Sequence, residues 1–533
     1  MKSLFLKYKG CRKLIGSITG LILILSQVSC AQKRDSDRII VSSKGKVESL
    51  DPAQANKLLA IQLISSLGDT LYEINSQGIL EPKLAKSLPK VSKDGLTLLI
   101  PLRENILFHD GSRFDAYAMA FSLNRFIRIG TLNYIISDRI KSIETPEPFL
   151  LRINLRRPSS SIRGLLTSIN LTPLSPKSYS DNHDKFQNNT FIGTGPYKLI
   201  SFTPEKQSLE PFENYWGSKV ANSGIDYINY STSLSLFSAI KTGQIDVLLS
   251  NAIEDGHRVA LNNLSKKGTL NEGIGPALQI GYIAFRSNNL PLSKQELRKA
   301  LSYSIDRDLI TKKVSYGLRE PLRSIIPPVL KKEKNNPWPK YNPEYAKELY
   351  KNSGYCNNKK LTIPITFRSN VPADKLLALI WQEQVKRDLS DCLILDLNGV
   401  ESTTIYKQLS EGSFEAVILG WTGDYPDPEA YLSPLLDCLK INGEVCEEGE
   451  AVFGGTFWGT NEIQNALKNS EYLTGEERIQ ALKKVELLAA QGAAIVPIWL
   501  VNPRVWTQSD LTQPEFDGSG RLLLHKLKRH TND

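Results

Sequence analysis

Side chains able to do catalytic chemistry are few in this sequence and poorly spaced for it. The chain has five histidines, His109, His183, His257, His525 and His530. No two are spaced to share one face of a helix, so neither an HExxH metalloprotease nor a zinc finger can be built from them. Gly193-Thr194-Gly195 lacks the third glycine of a dinucleotide loop and the lysine of a P-loop, and no GxSxG or SxxK nucleophile stands in a suitable context. Carboxylate pairs such as Asp424 and Asp427 occur, but a chain with 56 acids offers many, and most are expected on solvated faces. No catalytic residue, cofactor or metal site is expected.

Charge recognition fits the sequence better. Residues 414–419 and 361–367 read as strands; the first runs into Gly420-Trp421-Thr422-Gly423-Asp424 and the second into Arg368-Ser369-Asn370. In open parallel sheets, ligands bind beyond the carboxyl ends of the strands. An acid, Asp424, and a base, Arg368, thus emerge at comparable edges of one body. A peptide, with an ammonium at one end and a carboxylate at the other, suits such a pair. The glycines of the first segment let backbone approach a ligand, and Trp421 can wall a pocket.

The elements that must position these groups read as α/β. Asp94-Gly95 supplies a tight turn within residues 91–103, followed by alternating Leu96, Leu98, Ile100 and Leu102, a half-buried antiparallel strand. Residues 114–129 have helical spacing with Asp115 as N-cap. Strand 225–230, helix 234–241 stopped by Gly243, and strand 245–249 form a β-α-β order that implies parallel pairing. A second such unit is strand 361–367, helix 373–389 with Leu377, Trp381, Val385 and Leu389 on one face, and strand 392–397. Capping boxes at Ser293-Lys294-Gln295-Glu296 and Thr474-Gly475-Glu476-Glu477 mark two helix starts, and Asn342-Pro343 with Gly354 brackets another helix.

The 533 residues, 41% hydrophobic and 23% charged with 35 Gly and 28 Pro, are ordinary for a folded chain of two or more domains. Beyond the first thirty residues the longest apolar run, 492–501, is interrupted by Pro497 and falls short of the roughly 20 residues that span a bilayer, which excludes a channel or permease. The start differs. Lys2, Lys7, Lys9, Arg12 and Lys13 precede a mostly apolar run at 14–25, about 18 Å as helix against a hydrocarbon core of about 30 Å. That is the pattern of a signal peptide over residues 1–29. Removing it lowers the formal charge from +10 to +5. So small an excess, with no basic runs interleaved with aromatics, argues against a nucleic-acid partner.

Four cysteines follow Cys30: Cys356, Cys392, Cys438 and Cys446. Three pairings are possible, and four free thiols are a further alternative. Cys438 and Cys446 flank a polar stretch suited to a stapled loop, while Cys356 and Cys392 bracket the second β-α unit. The absence of CxxC and of nearby histidine disfavours a metal site.

Several segments, in order, resemble the bacterial extracellular solute-binding proteins of family 5, the oligopeptide- and dipeptide-binding lipoproteins of ABC importers. They are Glu48-Ser49-Leu50-Asp51-Pro52, Leu71-Tyr72-Glu73, Pro82-Lys83-Leu84-Ala85, Asp94-Gly95-Leu96-Thr97, Phe108-His109-Asp110-Gly111, Gly193-Thr194-Gly195-Pro196-Tyr197, Leu297-Arg298-Lys299-Ala300-Leu301 with Ile305-Asp306-Arg307, and 420–428. Ala118 and Ser304 depart from the usual residues. Leu25-Ser26-Gln27-Val28-Ser29-Cys30 likewise resembles a lipobox, with Gln27 in place of Leu. The resemblance implies an α/β, two-lobed periplasmic-binding-protein clamp of class II, with mixed sheets flanked by helices and an extra subdomain. Lobe I would comprise 30–58, 186–275 and 499–533, its extra subdomain 59–185, and lobe II 276–498.

It further implies an exported monomer in the cell envelope or periplasm, anchored to the membrane through acylated Cys30. Such a protein captures short peptides and delivers them to ABC permease transmembrane subunits. Asp424 would pair with the ligand ammonium, Trp421, Thr422, Gly423 and Tyr425 would line the ligand, and Arg368 would anchor its carboxylate. Alternatives are a binder of nickel chelates or murein peptides, or an exported peptidase using the same cleft. A single acyl chain holds a protein to a membrane only marginally, whereas two or more hold it firmly. Cys30→Ser is therefore expected to abolish membrane association and incorporation of labelled palmitate; equal fractionation and labelling of the two proteins would remove the anchor.

Overall fold

Burial of alternating apolar residues on two separate sheets gives the chain its two bodies. In the computed structural model, residues 37–530 are described apart from 56, 250–252, 332–335 and 357; the signal segment and Cys30 lie outside them. The first lobe is built on a seven-stranded sheet in the order Leu270–Ile274, Arg504–Gln508, Val247–Leu249, Ile39–Lys44, Ile225–Tyr230, Lys206–Pro211, Tyr197–Phe202. The second lobe is built on a six-stranded sheet in the order Arg319–Pro321, Ile495–Val501, Gln279–Phe285, Ala416–Thr422, Leu361–Arg368, Leu393–Val400. A four-stranded antiparallel sheet, Lys90–Val91, Thr97–Pro101, Leu150–Leu155 and Ile140–Glu147, forms a further layer with the helix Ala116–Ile129.

Both β-α-β units are present, but only one pairs its own strands. Leu361–Arg368 lies parallel and adjacent to Leu393–Val400, with the helix Pro372–Asp388 between them in sequence. Ile225–Tyr230 and Val247–Leu249 run parallel, but the N-terminal strand Ile39–Lys44 inserts between them and pairs with both. Its Ile39 and Val41 are fully buried, and burial of an early apolar strand at the sheet centre outweighs pairing of sequence neighbours.

Local signals mostly hold. Asp115 accepts a hydrogen bond from the Ala118 amide and caps its helix, and Asn342 does the same for Pro343–Asn352. Gly95 adopts the left-handed conformation (φ 72°) that the hairpin turn requires. The two capping boxes do not form. Ser293 donates its amide to Asn289 in a preceding turn, leaving Lys294 at the N-cap of Gln295–Tyr303 without a side-chain cap bond. Thr474 is the N-cap of Gly475–Gly492, but its side chain accepts no cap bond. The four cysteines, whose pairing the sequence leaves open, form two disulfides, Cys356–Cys392 and Cys438–Cys446.

Two crossovers join the lobes and bond to each other. The chain leaves the first sheet after Ile274 and returns to it from Val501 through Asn502 and Pro503, so the last strand of the second sheet continues past residue 499. Gly275 N–H donates to the Pro503 carbonyl (2.9 Å) and Asn502 Nδ2 to the Gly275 carbonyl (3.2 Å). A Cβ at Gly275 would stand 2.8 Å from the Pro503 ring and 2.9 Å from Phe516, so the paired crossovers exclude any larger residue there.

Several family-like segments act as internal fasteners. Asp51 receives Arg125 in a bidentate pair (2.8 and 2.6 Å), both side chains being almost wholly buried, and also accepts the amides of Ala53 and Gln187. That pair ties the N-terminal segment to the helix Ala116–Ile129. His109 faces the Gly195 carbonyl through Nε2 (3.1 Å), and burial holds its pKa down to about 4, so the ring is neutral at pH 7. Removing one partner of a buried pair strands the other charge. Arg125→Met is therefore expected to lower the unfolding free energy by about 3–5 kcal/mol in urea denaturation, with a smaller loss when Asp51 is replaced by an apolar residue as well.

Candidate functional site

Between the lobes lies a cavity of about 630 Å³, within the roughly 300–1,000 Å³ typical of small-ligand sites. The first lobe contributes Gln62, Arg258, Arg504 and Arg521, the second Arg368, Tyr406 and residues 420–426, and the crossovers Asn502 and Pro503. Among the described lining residues there is no histidine, cysteine or lysine, and Asp424 is the one carboxylate. No group of three His, Cys, Asp or Glu among the described residues could hold a metal ion.

The segment expected to follow its strand is partly strand itself. Ala416–Thr422 pairs antiparallel with Gln279–Phe285 in the register Gly420↔Gly281, Trp421↔Ile280, Thr422↔Gln279. The partner strand extends to Gln279, so the ladder carries Gly420, Trp421 and Thr422 up to the cavity edge before the chain turns at Gly423. Trp421 is fixed by an Nε1 hydrogen bond to the Ala430 carbonyl (2.8 Å). A Cβ at Gly423 would lie 2.7 Å from the Tyr431 ring, so this glycine makes room for a protein side chain. Tyr425 is buried and its hydroxyl donates to the Glu429 carboxylate.

Asp424 stands apart from the acids around it. Asp427 is not on a solvated face: it is bridged by Arg478 (2.9 and 2.7 Å) and accepts the Glu429 amide. Glu429 pairs with Arg139, the residue before the strand Ile140–Glu147 (3.0 Å). Glu471, whose pKa burial raises, accepts hydrogen bonds from Ser159 and Ser161. Asp424 receives no hydrogen bond and no ion pair among the described residues. Burial, and secondarily the charge of Glu429, push its carboxyl up to about 6.

Arg368 reaches the cavity but is engaged. Its Nε and Nη2 grip Asp374 (2.6 and 3.2 Å), a carboxylate that is almost fully buried, and Nη1 donates to the Tyr406 hydroxyl (3.3 Å). The base expected to be available for a ligand carboxylate is thus already in a bidentate pair.

Sequence reasoning missed the arginines of the opposite wall. Arg258 lies in the helix Asp255–Lys266 and Arg504 at the start of the strand Arg504–Gln508. Nothing in their local spacing marks them among 66 basic residues; the fold alone brings them together.

Residues 80–443 match the family described as bacterial extracellular solute-binding proteins, family 5 Middle. The chain is 25% identical over 403 residues to the glutathione-binding protein GsiB of Escherichia coli O1:K1, covering 74% of this chain and 77% of GsiB. Its fold is similar to that of the dipeptide-binding protein of Pseudoalteromonas sp. SM9913 in complex with Met-Leu, with a TM-score of 0.77, 22% identity, and 92% and 100% of the two chains covered. It is likewise similar to NikA of Brucella suis in complex with Fe(III)-EDTA, with a TM-score of 0.80, 20% identity, and 92% and 100% covered.

An acid titrating near 6 is neutral below that pH and charged above it. A cationic group bound at Asp424 is therefore expected to be held most tightly near pH 7 and about tenfold less tightly at pH 5. Carboxyl carbon shifts should report the Asp424 midpoint near 6 in the ligand-free protein. Glu429→Gln is expected to lower that midpoint without restoring the usual aspartate value, since burial, the larger cause, persists. A midpoint at the ordinary value in the unaltered protein would place Asp424 in water.

Proposed function

The chain belongs to the bacterial extracellular solute-binding proteins of family 5, and we propose that it captures short peptides between its lobes for delivery to the membrane subunits of an ABC importer. The observation that carries this reading is Asp424: a carboxylate facing the interlobe cavity, raised in pKa by burial, with no cation of its own among the described residues. A peptide α-ammonium is the complementary charge. The likeness to GsiB and to the dipeptide-binding protein supports a small peptide as cargo. An anionic metal chelate, of the kind held by NikA, would set like charge beside Asp424. A lining with one carboxylate and no histidine, cysteine or lysine supports binding over peptidase chemistry. In this reading the protein acts as an exported monomer tethered through Cys30, and the lobes enclose the ligand as the clamp closes.

The test is Asp424→Asn, assayed by calorimetry with the tightest-binding member of a random tripeptide pool. Asparagine preserves shape but leaves the ligand ammonium buried without a counter-charge. Losing one side of such a pair costs about 2–5 kcal/mol, or about 30- to several-thousand-fold in Kd. The N-acetylated peptide should bind the native protein poorly and lose little more on mutation. Equal affinity of the two proteins for the free-amine peptide would remove Asp424 from the site and peptides from the ligand class.

A further inference from the structure

Strand direction gives the first lobe a second end, opposite the cleft. Ile39–Lys44, Ile225–Tyr230 and Val247–Leu249 run parallel, Arg504–Gln508 runs against them, and Leu270–Ile274 runs against Arg504–Gln508. Ile274 and Arg504 adjoin the crossovers and the cavity. Ile39, Ile225, Val247, Leu270 and Gln508 therefore share the far edge of the sheet, the base of the lobe. The helices Ser233–Lys241 and Asp255–Lys266 lead into the strands that start at Val247 and Leu270, so both helices also end at this base. Gln508 stands at its centre: it faces Leu270 across the ladder, and its side-chain amide donates to the Ile240 and Ile245 carbonyls (2.7 and 3.0 Å).

Exposed lysines line that base. Lys241, Lys266 and Lys267 stand at the ends of the two helices. Lys528 lies on the C-terminal segment, where its carbonyl accepts the Thr512 amide (2.8 Å) just beyond Gln508. Lys241 sits over the Phe237 ring, whereas Lys266, Lys267 and Lys528 have no acidic partner among the described residues. Asp226 is paired with Arg38 (2.6 Å), Asp246 and Asp510 with Arg529 (2.7 Å each), and Glu210 with Lys198 (3.1 Å). The attraction of a helix C-terminus for cations accounts for Lys241 and Lys266. It does not account for Lys528, which lies outside any helix.

We propose that this base of the first lobe docks on the anionic phospholipid headgroups of the membrane that carries the protein. The inference rests on the tethering through Cys30. Cys30 lies eight residues before Arg38, a length that spans at most about 29 Å of extended chain. Arg38 is at the base, so an acylated Cys30 keeps the lysines close to the bilayer surface. Each lysine is drawn to an anionic surface only weakly, and the patch does not hold an untethered protein. The tether raises the effective concentration of the surface, and the same weak contacts then suffice. Docking by the base leaves the cleft, at the opposite ends of the same strands, on the side away from the bilayer and open to arriving ligand. Contacts of this strength release readily for delivery.

The test is brief lysine acetylation of the acylated protein on two kinds of vesicle, pure phosphatidylcholine and equal parts phosphatidylglycerol and phosphatidylcholine, read lysine by lysine by mass spectrometry. Lys266, Lys267 and Lys528 are expected to react at least about threefold more slowly on the anionic vesicles. Lys312 and Lys313, exposed on the second lobe, should react equally on both. The protection should be present at about 0.1 M salt and lost at about 1 M, where the screening length falls to about 3 Å. Lys266→Glu combined with Lys267→Glu, both at exposed positions, should erase most of the protection of Lys528 while leaving the protein on the vesicles. Equal labelling of the base lysines on the two lipids by a protein that sediments with both overturns the docking and leaves the anchor standing. Equal protection of Lys312 and Lys313, or protection that survives 1 M salt, also overturns it. A native protein that sediments with neither vesicle removes the anchor and the docking together.

Discussion

An ionised carboxylate withdrawn from water is unfavourable unless a cation or hydrogen-bond donors replace the lost hydration. The acids around the cavity meet this constraint one by one. Asp427 has Arg478, Glu429 has Arg139 and the Tyr425 hydroxyl, Asp374 has Arg368, and Glu471 has the hydroxyls of Ser159 and Ser161. Asp424 faces the cavity with no hydrogen bond or ion pair among the described residues. The surrounding network therefore does two things at once. It fixes the turn that presents Asp424, and it removes competing internal cations that would otherwise swing onto that carboxylate.

The same bonds hold the lobes together. Arg139 and the 159–161 serines belong to the four-stranded layer, whereas Glu429 and Glu471 belong to the second lobe; on the other flank Arg319 crosses to Asp255 of the first. These three polar contacts lie along the boundary, with the hydrogen-bonded crossovers at Gly275 and Pro503 as the covalent link. Ion pairs at a water-accessible boundary are individually worth about 0–1 kcal/mol when exposed and more when buried. The apolar core, by contrast, is shared: one cluster of buried side chains runs from the four-stranded layer, with Leu98, Ile100 and Ile153, into the second lobe, with Ile283, Val417 and Val496. Asp424 feels Glu429, so the charge of the cavity carboxylate and that of one boundary contact are physically coupled.

What was legible in the sequence was what local chemistry decides. Asp115 and Asn342 cap their helices because the acceptor and the amide it serves are three residues apart, and Gly95 turns its hairpin because the required φ belongs to glycine. Asp424 was legible because a strand, a glycine and an acid follow one another within one short segment. The illegible parts depend on distant partners. Ile39–Lys44 enters the first sheet between strands far along the chain, Ala416–Thr422 is lengthened by its pairing with Gln279–Phe285, and Ser293 is drawn away from its helix by Asn289. The resemblance to family 5 supplied the two-lobed clamp as a whole, which no local pattern in the chain could have done.

Arg368 and Arg258 show where residue type stops being informative. Both are arginines at the cavity, and both have an acidic neighbour. Arg368 grips Asp374 in fork-to-fork geometry within the second lobe, and the Arg319 charge of the same lobe also acts on that carboxylate. Asp255 is divided between Arg258 and Arg319, which come from different lobes, and a second cation, Arg504, stands close enough to depress Arg258 further. The difference lies in how the acid is shared, within one lobe for Asp374 and across the lobe boundary for Asp255, and such sharing is a property of the fold. The cleft thus sets an acid of the second lobe, Asp424, and arginines of the first, Arg258 and Arg504, on the walls of one cavity.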